Sequence, residues 1–380
     1  MKRVLISVSC LLLVFGAYLG YNAVSSNASA AFASTTYSGT LYVAGMGGHF
    51  AKVKVKIDPS DTEHPIKVEN LSRIVIGDHS NHPVHDPRIN NNNRNMMFWS
   101  TYNVDKSIKG DRTVHVGETD LVTGKKIKDI EVKLDPSVKW DGAVYCASGQ
   151  SKNDYIDITM TNPGYIDIRS KKTLKLLHRV FLKQLGYNNN YQFFHGTNSP
   201  DYKTFVVAIN RSKEWVNPST INFGDRNGHV DMLLLDLPSL IRGKVKVLAK
   251  NTVSASPGGT GPTGSGTFTF RQYFTPDGNY ILQSGADRMY LFDAHTLKLL
   301  DRRMMKDGEN HDDIGTPDSK YAVMTLRSPN KPQDGMLQLY DISAHKIIGK
   351  PVSICNACHA KWVGHAFPAA LCGIDANWNK

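Results

Sequence analysis

Two short phrases recur along this chain, and they restrict its fold more than any other feature. The first is a turn that leads into a strand: Ser199-Pro200-Asp201-Tyr202-Lys203, Thr275-Pro276-Asp277-Gly278-Asn279-Tyr280 and Thr316-Pro317-Asp318-Ser319-Lys320-Tyr321. Proline presets φ at the first central position of a turn, and Asp and Gly suit the positions after it. The second phrase is a strand ending near an aspartate, a short turn and another strand. Tyr290 to Leu300 and Leu339 to Ile348 carry it, with Asp293 and Asp341 at the turn, and Thr173 to Leu177 repeats its tail. Looser copies lie at Asp58, Asp120, Ser170 and Asp236.

Successive anchors are 48 to 66 residues apart. Four-stranded propeller blades run to ~40–50 residues, and insertions lengthen them. Short alternating runs fill the intervals, such as Thr40 to Ala44, Lys52 to Ile57, Phe205 to Ala208 and Tyr321 to Met324, and no stretch sustains a helical period. The pattern predicts an all-β chain folded as a β-propeller, with seven blades preferred and six possible. The segment Ala370 to Ile374, pairing with residues 40–44, would complete a seventh blade. A ring closed by the two termini leaves no long exposed edge. Ser256 to Gly266, rich in Gly, Pro, Thr and Ser, reads as a loop inserted in a blade. A pair of β-sandwiches is the alternative. The phrases resemble the extracytoplasmic propellers with Tyr-Val-Thr-Asn-type blades and the propellers of haem nitrite reductases and nitrous oxide reductases.

The amino terminus points to export. Met1-Lys2-Arg3 is basic, Val4 to Gly20 is apolar except for two serines and Cys10, and Ser29-Ala30-Ala31-Phe32-Ala33 offers small residues at alternating positions. That is the three-part plan of a secretory signal. Residues 1–33 are therefore expected to be a signal peptide and residues 34–380 a single propeller domain, periplasmic or extracellular, with no transmembrane segment after cleavage. The formal charge of +11 falls to +9 without Lys2 and Arg3, which favours an acidic partner. Composition near the globular average excludes bulk disorder, collagen and coiled coil, and five cysteines are too few for a disulfide scaffold.

Chemistry enters at Cys355-Asn356-Ala357-Cys358-His359, a Cys-x-x-Cys-His run. Two thiols at this spacing can each add to one porphyrin vinyl group, and the next residue then brings an imidazole beneath the iron. The run resembles the attachment site of c-type cytochromes. The resemblance implies one haem c, with Cys355 and Cys358 as its thioether links and His359 as the proximal ligand. Only 21 residues follow His359, too few for a separate cytochrome domain, so the haem is expected against the propeller body. His365 is a candidate distal ligand, and Met304, Met305, Met324 and Met336 are alternatives. Trp362 is a candidate to pack on the ring. Cys146 and Cys372 remain, and export permits them to pair.

His82, His85, His195 and His311 form a candidate second metal or haem site. His195 and His311 precede two of the turn phrases by four and five residues, and His79, His82 and His85 are crowded together, with His49 at a comparable early turn. If the phrases open the innermost strands, these histidines share a rim near the axis. Imidazole is the commonest metal ligand. Nitrous oxide reductases hold copper with axial histidines, and haem nitrite reductases line their second haem pocket so. This chain lacks the downstream copper domain of the former, and its haem run follows the propeller where the latter's cytochrome domain precedes it.

The expected function is single-electron transfer by an exported monohaem cytochrome, to or from an acidic redox protein and with no nucleic-acid partner. One alternative is an oxidoreductase with a second metal or haem at the axis, acting on a small substrate such as a nitrogen oxide. Another is a non-catalytic scaffold subunit of a respiratory complex.

Overall fold

A computed structural model describes residues 35–45, 47–77, 81–103, 113–139, 143–215, 229–254, 269–285, 287–327, 335–354, 359–362, 365–368 and 371–379. The expected signal peptide, the Ser256 to Gly266 insertion, His79, Cys355 and Cys358 lie outside the described residues. Thr36–Lys380 forms one compact unit.

The chain is all-β. The first sheet holds β1 (Tyr37–Gly45), β2 (His49–Ile57) and β3 (Ile66–Val75). The second is β4 (Val84–Ile89), β5 (Met96–Asn103), β6 (Thr113–Asp120) and β7 (Lys126–Lys133), and the third is β8 (Ala143–Gln150), β9 (Asp154–Thr159), β10 (Tyr165–Ser170) and β11 (Leu176–Phe181). The fourth contains β12 (Tyr191–Asn198), β13 (Thr204–Arg211), β14 (His229–Asp236) and β15 (Val247–Ser254). The fifth contains β16 (Gln272–Phe274), β17 (Tyr280–Ser284), β18 (Arg288–Asp293) and β19 (Leu299–Met304). The sixth contains β20 (Glu309–Gly315), β21 (Tyr321–Arg327), β22 (Gly335–Asp341) and β23 (Lys346–Ser353). A hairpin of β24 (His359–Trp362) and β25 (His365–Pro368) follows, and β26 (Leu371–Trp378) then pairs with β1, from Gly39 opposite Trp378 to Gly45 opposite Leu371.

All pairings are antiparallel. The second and third sheets are continuous, because β5 also pairs with β8 from Tyr102 opposite Val144 to Asn103 opposite Ala143, and the arrangement of the described strands is that of a β-propeller. The terminal strand pairs with residues 40–44 as expected, and it joins the first sheet beside β1.

Strand alternation explains the packing. In β13, Phe205, Val207 and Ile209 face the third sheet with Ile156 and Ile166, while Val206 and Ala208 face the fifth with Ile281 and Tyr290. The same division builds apolar seams between every consecutive pair of sheets, the last joining Val323 and Leu339 to Leu41 and Val53. The outer strands β3, β7 and β11 are largely exposed, and the lysines of β7 keep that edge polar.

The repeated phrases occupy equivalent places. Asp120, Ser170, Asp236, Asp293 and Asp341 each end the third strand of a sheet, and Asp58 directly follows β2, which holds that place in the first sheet. The aspartates then close the following turn through backbone N–H groups, as when Asp293 Oδ1 accepts from His295 at 3.0 Å and from Thr296 at 2.7 Å. In the other phrase the Ser199, Thr275 and Thr316 hydroxyls donate to Asp201, Asp277 and Asp318 at 2.7, 2.6 and 2.9 Å. These phrases open the second strand of a sheet and not the innermost one. His195 and His311 accordingly lie within the inner strands β12 and β20 themselves.

Candidate functional site

Five inner strands, β4, β8, β12, β16 and β20, run into turns whose first residues are Asn90, Ser151, Ser199, Thr275 and Thr316. Four residues before these turns lie Asp86, Ala147, His195, Arg271 (immediately before β16) and Asp312, none more than 2% exposed. Equal register on neighbouring inner strands gathers these side chains at the centre of the ring.

Asp86 is the hub. Its Oδ2 lies 3.0 Å from His195 Nε2 and accepts from Arg271 Nε at 3.2 Å. Arg271 Nη2 also donates to His85 Nε2 at 2.8 Å. A neutral His85 therefore carries its proton on Nδ1, beside the Tyr145 carbonyl at 3.3 Å and Cys146 Sγ at 3.2 Å. Gln272 Oε1 is 3.0 Å from His195 Nδ1, and Ser148 Oγ is 3.4 Å from its Nε2. The terminal strand completes the cluster: the Ile374 N–H donates to Asp312 Oδ2 at 2.9 Å, and a Cβ on Gly373 would overlap Asp86 Oδ1.

Electrostatics fix the protonation of this cluster. Burial acts to raise the Asp86 carboxyl, but Arg271, the His195 hydrogen bond and Arg88 together hold it at about 2. Burial lowers His195 to about 4 against the pull of Asp86. Burial, and then the Asp86 charge, push Asp312 well above the carboxylate range, and burial brings Asp313 to about 7. One carboxylate is thus ionised between two guanidinium groups, with a neutral imidazole and a protonated acid beside it. Asp86 Oδ1 and both Nη atoms of Arg88 have no hydrogen-bond partner among the described residues. The Arg88 guanidinium lies over the Tyr273 ring, 4.3 Å from its centroid, and its Nε donates to the Ala147 carbonyl at 3.0 Å.

Asp86, Cys146 and His195 each present a ligand atom within 4.8 Å of the others. An ionised carboxylate with one oxygen open, a neutral imidazole and a thiol are a donor set that a divalent transition metal can use. Arg271 on the other carboxylate oxygen opposes a second positive charge there.

The four histidines expected to share a site are divided. His85 and His195 join the axial cluster through Arg271 and Asp86. His311 stacks on Phe270 with centroids 4.6 Å apart, and its Nε2 is 3.2 Å from Glu309 Oε1. His82 turns to the second sheet, where its Nε2 lies 2.9 Å from Asp129 Oδ2, and His115 Nδ1 lies 2.9 Å from Oδ1 of the same carboxylate. His49, at the start of β2, is buried and lowered to about 4 by that burial. Met305 and Met324 are core residues between the fifth and sixth sheets, Met336 packs against them, and Met304 is exposed. His359 and His365 open β24 and β25, with backbones opposite Pro368 and Trp362, and this hairpin belongs to none of the six sheets.

Comparison with known proteins reaches the fold and no further. No family model matches the chain, and no curated protein matches it. Among solved structures, a nidogen–laminin complex matches with a TM-score of 0.50 at 10% identity, over 90% of this chain and 98% of that one. TolB from Acinetobacter baumannii matches with a TM-score of 0.49 at 14% identity; the match takes in 83% of this chain but only 64% of TolB. Hydrazine synthase from Kuenenia stuttgartiensis has a TM-score of 0.46 at 12% identity over 84% of this chain and 81% of that one.

Asp86, Arg88, Arg271 and Asp312 were not among the residues expected at the site. A signal for three of them exists: Asp86, Arg271 and Asp312 each fall four residues before a turn. His115 and Asp129 carry no such signal, because their meeting with His82 depends on pairing between β6 and β7.

Proposed function

We propose that this chain is an exported monohaem c-type cytochrome with a β-propeller body, exchanging single electrons with an acidic protein partner. The observation that carries the reading is the Cys-x-x-Cys-His run at residues 355–359. Bound haem would supply a one-electron Fe(III)/Fe(II) couple. Cys355 and Cys358 would tether it, and His359 would hold the iron from one side. His365 is the candidate on the other side, and a methionine there would raise the potential relative to bis-histidine ligation. Among the described strands β24 and β25, which begin at His359 and His365, pair only with one another. The basic surplus would speed encounter with an acidic partner, and added salt would slow it. The amino-terminal basic, apolar and small-residue segments support export, which is where such haem attachment takes place.

The test is a visible spectrum of the exported protein, oxidised and reduced, with its pyridine haemochrome. The reading requires a thioether-linked haem that is lost in Cys355→Ser and Cys358→Ser. A colourless protein from a host competent in haem attachment would overturn it.

The axial donor set favours a second reading, an oxidoreductase in which Asp86, Cys146 and His195 hold a metal that acts on a small substrate such as a nitrogen oxide. Metal analysis separates the two. One iron per chain, all of it haem, supports the first, and an additional metal lost in Cys146→Ala supports the second.

A further inference from the structure

We infer that His82, His115 and Asp129 form a binding site for a first-row divalent transition metal ion, away from the axis and independent of the haem run. The three residues come from separate places: His82 from the segment entering β4, His115 from β6 and Asp129 from the outer strand β7. Their ligand atoms all lie within 4.8 Å of one another. His82 Nε2 and His115 Nδ1 are each 2.9 Å from a different oxygen of the Asp129 carboxylate. Neighbouring ligand atoms on an ion with bonds of about 2.1 Å sit only slightly farther apart than this, so the cluster accepts an ion with small movements.

The tautomer of His82 adds a second, separate argument. Its Nδ1 faces Asn81 Oδ1 at 2.6 Å. With that carbonyl accepting from Nδ1–H, a neutral ring turns its Nε2 lone pair directly at Asp129. That nitrogen, 2.9 Å from the carboxylate oxygen, is then placed to share a metal ion with it. A carbonyl that fixes the far nitrogen of a histidine is also the usual outer support of a metal ligand. The two rings are close and tilted, with centroids 4.1 Å apart and planes inclined by 39°.

The setting suits an ion better than the axis does. The His115 and Asp129 side chains keep 21% and 25% of their exposure, so water can fill the remaining coordination positions. Two imidazoles and one carboxylate with open positions is a donor set for Fe(II), Zn(II), Co(II) and their neighbours, and not for Ca(II) or Mg(II). The Lys126 ammonium, 2.5 Å from Asp129 Oδ2 and one-third exposed, is the competing cation and is free to swing into solvent. Burial opposes ionisation of Asp129, but hydrogen bonds from His115, His82 and Lys126 outweigh it and keep the carboxylate charged.

Titration of the full chain with Co(II), followed by electronic absorption and calorimetry, tests the site. We expect one Co(II) whose spectrum lacks intense thiolate charge-transfer bands, which sets it apart from binding at Cys355, Cys358 or Cys146. His115→Gln and Asp129→Asn should each weaken it by roughly tenfold or more. Lys126→Ala should tighten it several-fold, and this surface variant keeps the test decisive should a ligand variant fail to fold. If Co(II) binds equally to the wild type, His115→Gln and Asp129→Asn, or if Lys126→Ala leaves affinity unchanged, the cluster is an ion-pair network and the inference is wrong. The haemochrome does not depend on any of these outcomes.

Discussion

Two histidine–carboxylate contacts of almost equal length occur in this molecule. His195 Nε2 lies 3.0 Å from Asp86, and His82 Nε2 lies 2.9 Å from Asp129. The first pair is wholly buried on inner strands, beside Arg271 and Arg88, and its protonation is set by the protein. The second lies at a sheet face where its carboxylate is a quarter exposed and shared with a second histidine and a lysine. Distance therefore says little about what such a pair does. In the interior, removing one partner strands a charge with no water to take its place. At the partly wet site, solvent or another cation can substitute, and the same geometry becomes available for exchange.

The largest effect expected from this contrast is the loss of Asp86. Asp86→Ala leaves the Arg271 guanidinium buried without its carboxylate, and should destabilise the fold by about 3–5 kcal/mol in urea unfolding. A loss under 1 kcal/mol would show the axis to be wetter than its burial implies.

Acid titration probes the same cluster. His195 is held neutral with a pKa of about 4, against 6.5 in the unfolded chain. Below pH 6.5 the unfolded state binds more protons, so stability falls as pH drops from 6.5 to about 4, by about 3 kcal/mol. Asp86, depressed to about 2, adds a further loss as pH falls below about 4. Asp313 acts oppositely: raised to about 7 by burial, it favours the folded state at acid pH, and that contribution fades as pH rises towards 7. Comparing unfolding free energies of the wild type and His195→Gln across this range isolates the histidine, because the variant should lack the decline between pH 6.5 and 4. Parallel curves would mean that His195 is hydrated.

Gly373→Ala tests the closing strand. The new methyl group would meet Asp86 Oδ1 and Pro87, and should cost about 1–3 kcal/mol by thermal unfolding. An unchanged midpoint would mean that β26 stands farther from β4. The smallest effect belongs to the exposed pair. Asp129→Ala, measured without added metal, should cost about 1 kcal/mol or less, and a loss matching that of Asp86→Ala would remove the distinction between the two sites.

These contrasts also mark what the sequence makes legible. The turn phrases are local chemistry, a hydroxyl or aspartate satisfying backbone donors two or three residues on, and five of the six anchors end a strand while Asp58 directly follows one. Blade number is harder to read, because the role of Leu371–Trp378 depends on which distant strand it joins. His195 and His85 are readable as inner-strand histidines once the turns are found. Their partners are less so, since Asp86 and Arg271 are 185 residues apart and meet only when the ring is formed. His82 shows how sequence proximity misleads: three residues from His85, it belongs with His115 and Asp129 on the second sheet.

The most direct test of the central claim is the intact mass of the chain secreted by a host with a haem-attachment system. The mature polypeptide should weigh one haem more than the chain processed near Ala30 or Ala33, and the increment should vanish in the Cys355→Ser/Cys358→Ser double variant. A secreted wild-type chain at the bare polypeptide mass would contradict the cytochrome assignment.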